Sequence, residues 1–479
     1  MGGTSGGHED LIGQAWEAVS SDGAPAGQPP PAHVDVTGST GHLPSPFAVE
    51  GVAVAAVAAS LLAATALGRQ RGSPTGAVSL DRGHVADAVR SERFFVGGGG
   101  SGGAGFAPLS RFWAVRDGWV RTHANYPWHR AALRRTLGLS PDADADAVAV
   151  ALADLRAEEV EERVFAGGGI ATAVRTPEAW QAHPQGQAVA AEPLVGHRRE
   201  GRSAARTRPA GDLPMAHVRV LDLTRVIAGP VCTRFLAALG AEVLRLDPPH
   251  HPDMKAGVVA DTLLGKRSSF VDYGSAPGLA TLHDLLDGAD VVVCGYRPGS
   301  LDRFGLGEDD LVERHPGIVA VYLSAWGHSG PWAGRRGFDS VVQAPTGIAV
   351  GQSTTGDVPG ALPCQLLDHG TGYLAAAAAL DGLRRQGTEG GTHVRRLSLA
   401  RTAWWLTSLG TRTLSVSDPP AADPDRRPWL VELEGGSGPV TAVAPPGRLG
   451  EQALRWPFPP SGYAEDPASW PDVRPLSAR

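Results

Sequence analysis

Between Val218 and Leu323 short aliphatic runs alternate with single helical stretches, and few folds accept that pattern. Val218 to Leu223 reads as a buried strand. Gly229-Pro230 breaks the chain, and Cys232 to Leu239 then carries apolar residues at helical spacing. Gly240 closes that helix, and Glu242 to Leu246 begins a second strand. A helix over Gly278 to Leu286 leads into Asp290-Val291-Val292-Val293, and Gly317 to Leu323 adds another strand. Strands joined by single helices run parallel and bury both faces, so the expectation is an α/β fold with a doubly wound parallel sheet. Ligands bind beyond the carboxyl ends of such strands, where the Gly-Pro break and Tyr296-Arg297-Pro298-Gly299 would lie.

The 479 residues leave room for two or three domains, and 42% apolar residues suffice for their cores. With 43 basic and 50 acidic residues the net charge is −7, which argues against a nucleic-acid partner. Lys255 and Lys266 are the two lysines; the other basic residues are arginines. Cys232, Cys294 and Cys364 form neither a disulfide framework nor a CxxC pair, so a reducing cytoplasm is expected. Met1 to Gly7 lacks the layout of a signal peptide. Phe47 to Leu67 is long enough to cross a bilayer. It is nevertheless rich in alanine, which favours close packing inside a protein, so a buried helix is expected and no membrane.

Composition divides the chain. Residues 1–33 read as a flexible leader ending near Pro29-Pro30-Pro31. Residues 196–213, with five arginines and no apolar periodicity, read as a linker, and 416–479 as a proline-rich tail. The halves on either side of the linker share an ungapped register at an offset of 319 residues. Leu43-Pro44 falls on Leu362-Pro363, Gly51 on Gly370, Gly72 on Gly391 and Ser79-Leu80 on Ser398-Leu399. The alanine-rich stretch falls on Tyr373 to Leu380.

Most familiar motifs are missing. No GxGxxG follows the first strand, and the glycine run from Gly97 to Gly103 lacks the lysine of a phosphate-binding loop. Gly327-His328-Ser329-Gly330-Pro331 ends in proline where a nucleophile elbow needs glycine. His250-His251 have only Asp253 close by in sequence, too few donors for a metal, so no metal site is expected. Asp368 stands apart. It precedes an alanine-rich helix in Leu366-Leu367-Asp368-His369-Gly370-Thr371-Gly372. An acid there can be a plain N-cap. The same placement stabilises a carboxylate, and the glycines beside it leave N–H groups for an oxyanion and room for a bulky substrate.

Several ordered stretches now resemble one family. Val220 to Pro230 (VLDLTRVIAGP) followed by Leu239 to Pro248 (LGAEVLRLDP) is similar to the opening of class III CoA-transferases. Gly265-Lys266-Arg267-Ser268, Tyr296 to Gly299 with Arg303 to Leu306, Gly337-Phe338-Asp339-Ser340 with Gln343-Ala344, and Thr388 to Leu399 follow in the family's order. The resemblance implies a Rossmann-like large domain at 214–415 and Asp368 as the acyl-accepting carboxylate. It further implies that Ile227, Ala228, Lys266, Arg267, Arg297, Arg303, Gly98 and Gly99 contact coenzyme A. CoA and acyl-CoA would be substrates rather than a permanently bound cofactor, with a carboxylic acid as the other partner. Residues 34–106 resemble part of a first large-domain copy, with Gly97–Gly100 similar to the family's tetraglycine loop. In that copy Val49 falls where Asp368 stands. Residues 107–195, from Trp113-Ala114-Val115-Arg116-Asp117-Gly118-Trp119 onward, resemble the smaller α+β domain. Family members are interlocked dimers, so a homodimer or an intramolecular pseudo-dimer is implied. Two other readings stay open. One is an α-methylacyl-CoA racemase, although Phe338 stands where that enzyme has histidine, unless His369 substitutes. The other is a non-catalytic CoA-binding scaffold.

Overall fold

A computed structural model describes residues 6–21, 29–97, 100–101, 105–253, 256–412, 428–435, 438–460 and 462–471. Its largest sheet has seven strands: β1 (Gly196–Glu200), β2 (Arg219–Leu223), β3 (Glu242–Asp247), β4 (Arg267–Phe270), β5 (Val291–Cys294), β6 (Val319–Ser324) and β7 (Thr392–Ser398). Their order is β4-β3-β2-β5-β6-β7-β1. Strands β2 to β7 are mutually parallel, and only β1 pairs antiparallel, on the β7 edge. Chain order reverses between β2 and β5, the point at which doubly wound sheets bind ligands. The expected α/β class is therefore the observed one. Central strands such as Val291–Cys294 are buried along their whole length, which is why they read as continuous aliphatic runs.

Helix α1 (Gly6–Ser20), α2 (Val49–Arg71), α3 (Ala228–Ala238) and α4 (Leu366–Glu389) build the layer that matters for the site. α2 is the one described helix long and apolar enough to cross a membrane, and it is buried inside the protein instead. It lies against α4, with α1 packed over both. Small alanine side chains allow that close approach, and a helix apolar all round must be covered all round. Ser60 adds a polar tie, its hydroxyl donating to the Tyr373 carbonyl at 2.6 Å. Gly72 ends α2 in the left-handed conformation (φ 76°), its N–H reaching Arg69 and Gly68 carbonyls.

Three segments depart from expectation. The leader contains α1, whose Leu11, Ile12, Ala15, Trp16 and Val19 form a buried stripe at helical spacing. Glycine-rich flanks conceal that stripe in the sequence. The linker begins with β1, which the arginines do not oppose because they reach outward as partners. Arg198 pairs with Asp309 at 3.0 Å, and Arg199 donates to the Glu389 carbonyl at 2.6 Å. The tail is not structureless either. Leu430–Gly435 and Gly438–Val443 form a hairpin whose second strand pairs with Val96–Gly97. Arg448–Leu449 pairs with Val78–Asp81 of the N-terminal half. Such pairing between distant segments leaves no local periodicity to read. A separate three-stranded sheet, Phe112–Val115, Gly118–Thr122 and Ala171–Ala173, has its own apolar cluster around Trp113, Leu133, Leu152 and Val160.

Candidate active site

The parallel strands all deliver their carboxyl ends to one cavity of about 930 Å³. Its wall takes Val226 and Ala228 after β2, Pro248 after β3, Tyr273 after β4, Tyr296 and Arg297 after β5, Ser324 from β6 and Leu399 after β7. Tyr126, Trp128 and His129, at the start of the helix Pro127–Thr136 that follows the second strand of the three-stranded sheet, form the opposite side. Asp368 lies on this cavity in the first turn of α4 and is only 6% exposed.

The carboxyl of Asp368 has costly surroundings. Burial pushes its pKa well above the usual carboxylate range, and the negative charges of Asp339 and Glu92 push it further. Asp339 is fully buried and accepts the Asp368 backbone N–H at 3.0 Å, with Gln343 donating to its other oxygen. Burial raises Asp339 as well. The charge of Asp339 disfavours ionisation of Asp368, so the two acids titrate as a pair rather than independently. Glu92 comes from the N-terminal half and accepts from His369 Nε2 at 3.1 Å. Burial would raise its pKa too, but the hydrogen bond and charge of His369 hold it below the ordinary value.

Ala228, Arg297 and Arg303 share the cavity with Asp368. Ile227 sits between two lining residues at the start of α3 without lining the cavity itself. Lys266 and Arg267 are elsewhere. Lys266 is fully buried, its Nζ donating to Asp222 at 2.9 Å and to the Pro230 carbonyl at 3.0 Å. Arg267 is held by Glu242 and the Ser469 carbonyl, both at 2.9 Å. Neither reaches the cavity, because β4 is the sheet edge and its start faces away from the strand ends. Gly98 and Gly99 lie outside the described residues; Val96–Gly97 beside them pairs with Val440 and Thr441. The expected glycine N–H groups also differ. α4 starts at Leu366, so Gly370 and Gly372 are inside it, and Gly372 serves close packing against Ala228 and Val231 of α3. His369 is turned to Glu92 rather than lining the cavity, and Phe338 stacks on His123 with centroids 3.8 Å apart. Among the described residues no cluster suited to a metal ion occurs.

Four further side chains matter here: Asp339, Glu92, Arg225 and His129. Asp339 stood within a quoted motif and could have been found as a second acid. Glu92 and His129 are brought in from more than 200 residues away, which no local spacing reveals. Val226 adds strain, with φ at 70° in a β-branched residue. Its N–H is held at 3.0 Å by Asp253, whose other oxygen takes the Tyr126 hydroxyl at 2.6 Å. Val226→Gly should relieve about 1–2 kcal/mol of left-handed strain, partly offset by a more flexible unfolded chain. The expected result is a melting temperature unchanged or raised by a few degrees in thermal unfolding; a clear drop would mean that packing of Val226 outweighs its strain.

With this geometry in view, similarity to known proteins is informative. Residues 215–430 match the family model described as CoA-transferase family III. The similarity to that family is confined to these residues, somewhat under half of the chain. An acetyl-coenzyme A transferase of Hypoxylon pulicicidum is 36% identical over 205 residues, 41% of this chain and 34% of that protein. The human succinyl-CoA:glutarate CoA-transferase is 31% identical over 205 residues, 40% of this chain and 47% of that protein. The crystal structure of Rv3272 from Mycobacterium tuberculosis aligns with a TM-score of 0.39 at 34% identity, covering 41% of this chain and 56% of that one. The chain spans about half the length of the curated relatives it matches. The family III region contains every strand of the parallel sheet except the antiparallel edge β1, together with Asp368.

Proposed function

We propose that the protein transfers CoA between an acyl-CoA and a carboxylic acid, with Asp368 as the acyl acceptor. The observation that carries this reading is the position of Asp368, at the start of a buried helix and on a large cavity ringed by strand ends and arginines. The Asp368 carboxylate attacks the thioester carbonyl, forming a mixed anhydride and releasing CoA thiolate. The thiolate attacks the aspartyl carbonyl of the anhydride, giving an aspartyl-CoA thioester and freeing the first acid. The second carboxylate attacks that thioester, again releasing thiolate, which takes the new acyl group and restores Asp368. Thioester energy is retained throughout because no step uses water. Arg297 and Arg303 are suited to the phosphates of CoA, since guanidinium forks match phosphate geometry.

The halves are read as one complete large domain and part of a second, with the α2–α4 pair as their shared seam. In this pseudo-dimer Val49 supplies no carboxylate, so one acyl acceptor per chain is proposed. That absence also favours the second reading, a CoA-binding scaffold without turnover. Labelled acyl-CoA with hydroxylamine separates them. A hydroxamate on the Asp368 peptide, missing in Asp368→Asn, is expected. No adduct with any acyl-CoA of a broad panel would sink the transferase reading.

A further inference from the structure

Five arginines line the cavity: Arg225, Arg297, Arg303, Arg335 and Arg336. Four of them are engaged. Arg335 donates to both carboxylate oxygens of Glu162, at 2.7 and 2.8 Å, and lies over Phe165 and Trp332. Arg225 donates to the Pro252 carbonyl at 2.7 Å and lies over Tyr126 and Trp128. Arg297 donates to the Gly334 carbonyl at 3.1 Å, and Arg303 lies over Phe304. Arg336 differs. Its guanidinium has no hydrogen bond, ion pair or ring contact among the described residues, although it is half-buried at the cavity wall. A half-buried cation without an anion beside it is open to a ligand that supplies one.

Its location narrows the ligand. Arg336 is close enough to His129 and Arg297 for its charge to disfavour protonation of both. It is three residues before Asp339, the acid that holds the Asp368 N–H, so the backbone between them spans at most about 10 Å. The side of the cavity next to Arg336 is aromatic, with Tyr126 and Trp128 stacked at 4.6 Å and His129 beside them. Burial and the charges of Arg336 and Arg225 hold His129 down to about 4, so its ring is neutral at ordinary pH. This wall offers one unpartnered cation, Arg336, beside aromatic rings over which the already engaged Arg225 lies, on the same cavity as the acyl acceptor.

We propose that Arg336 binds the second carboxylate of a dicarboxylic acid or acyl group, whose carbon chain lies along Tyr126, Trp128 and His129. The proposal rests on Asp368 as the site of acyl transfer but is tested by binding alone. Calorimetry with the full chain compares chain-matched acids, succinate against butyrate and adipate against hexanoate. At least one dicarboxylate should bind about tenfold or more tighter than its partner, a difference of about 1.4 kcal/mol. Arg336→Gln should bring each pair to within about twofold, and Arg336→Lys should retain part of the preference. CoA titrated into Arg336→Gln should bind as it does to the wild type. Equal binding of the paired acids by the wild type would overturn the proposal. So would a loss of CoA affinity in Arg336→Gln with the acid preference intact, which would assign Arg336 to a phosphate. Failure of the hydroxylamine trap, by contrast, would remove the transfer chemistry and leave the acid preference readable.

Discussion

Asp368→Asn is expected to abolish the hydroxylamine-trapped adduct and lower CoA transfer by about 10³-fold or more, as loss of a covalent nucleophile does. The same substitution should raise stability at neutral pH. The folded-state pKa of Asp368 is raised by burial and by Asp339 and Glu92, so the folded protein holds this proton where the unfolded chain releases it. Stability from the group is complete below the ordinary carboxylate range and is lost as pH climbs through the raised value. Asparagine carries no charge and escapes that loss. Denaturant unfolding at several pH values should show the gain of Asp368→Asn growing from acid to neutral pH; a loss at neutral pH would mean that Asp368 is held by interactions absent from this geometry.

The nucleophile must be ionised, so the trapping rate should rise with pH until Asp368 has lost its proton. Asp339→Asn removes the nearest negative charge, which lowers the pKa of Asp368 and moves this acidic limb to lower pH. Asparagine still offers an oxygen to the Asp368 N–H, so the helix start keeps its partner. An unmoved limb in Asp339→Asn would show that burial and Glu92, not Asp339, set the titration.

The parallel sheet was legible because β2, β3, β5 and β6 are each a continuous buried run bounded by glycine or proline. Asp368 was legible because one acid interrupts an apolar segment at a helix start. The other wall of the cavity was not, since Tyr126, Trp128 and His129 are placed by tertiary packing of a separate sheet. α1 was missed for a similar reason: fifteen residues form a stable helix only when Leu11, Trp16 and Val19 find α2 and α4. The pairing of the tail with Val96–Gly97 and Val78–Leu80 depends on chain closure over hundreds of residues, and no window of sequence contains it.

Lys266 shows how a family motif can mislead about role, and Lys266→Met is expected to be the most destabilising of these substitutions. In sequence its neighbours Gly265, Arg267 and Ser268 place it within a stretch resembling a CoA contact. In the fold it is the buried counter-charge of Asp222, a carboxylate that also takes the hydroxyls of Thr224 and Thr233. Removing the ammonium leaves that carboxylate without its closest cation, and breaking a buried pair in this way costs about 3–5 kcal/mol. Asp222→Asn combined with Lys266→Met should recover much of the loss, because no charge is then stranded. The pH dependence gives an independent check. Burial outweighs Asp222 and holds Lys266 down to about 8, so the unfolded chain binds this proton more tightly than the folded one. Wild-type stability should therefore gain a contribution as pH rises from about 8 toward the ordinary lysine range, and Lys266→Met should lack it. Protein that remains folded should bind CoA with unchanged affinity, since Lys266 does not line the cavity. A selective loss of CoA binding at wild-type stability would return Lys266 to the substrate site and contradict the buried pair.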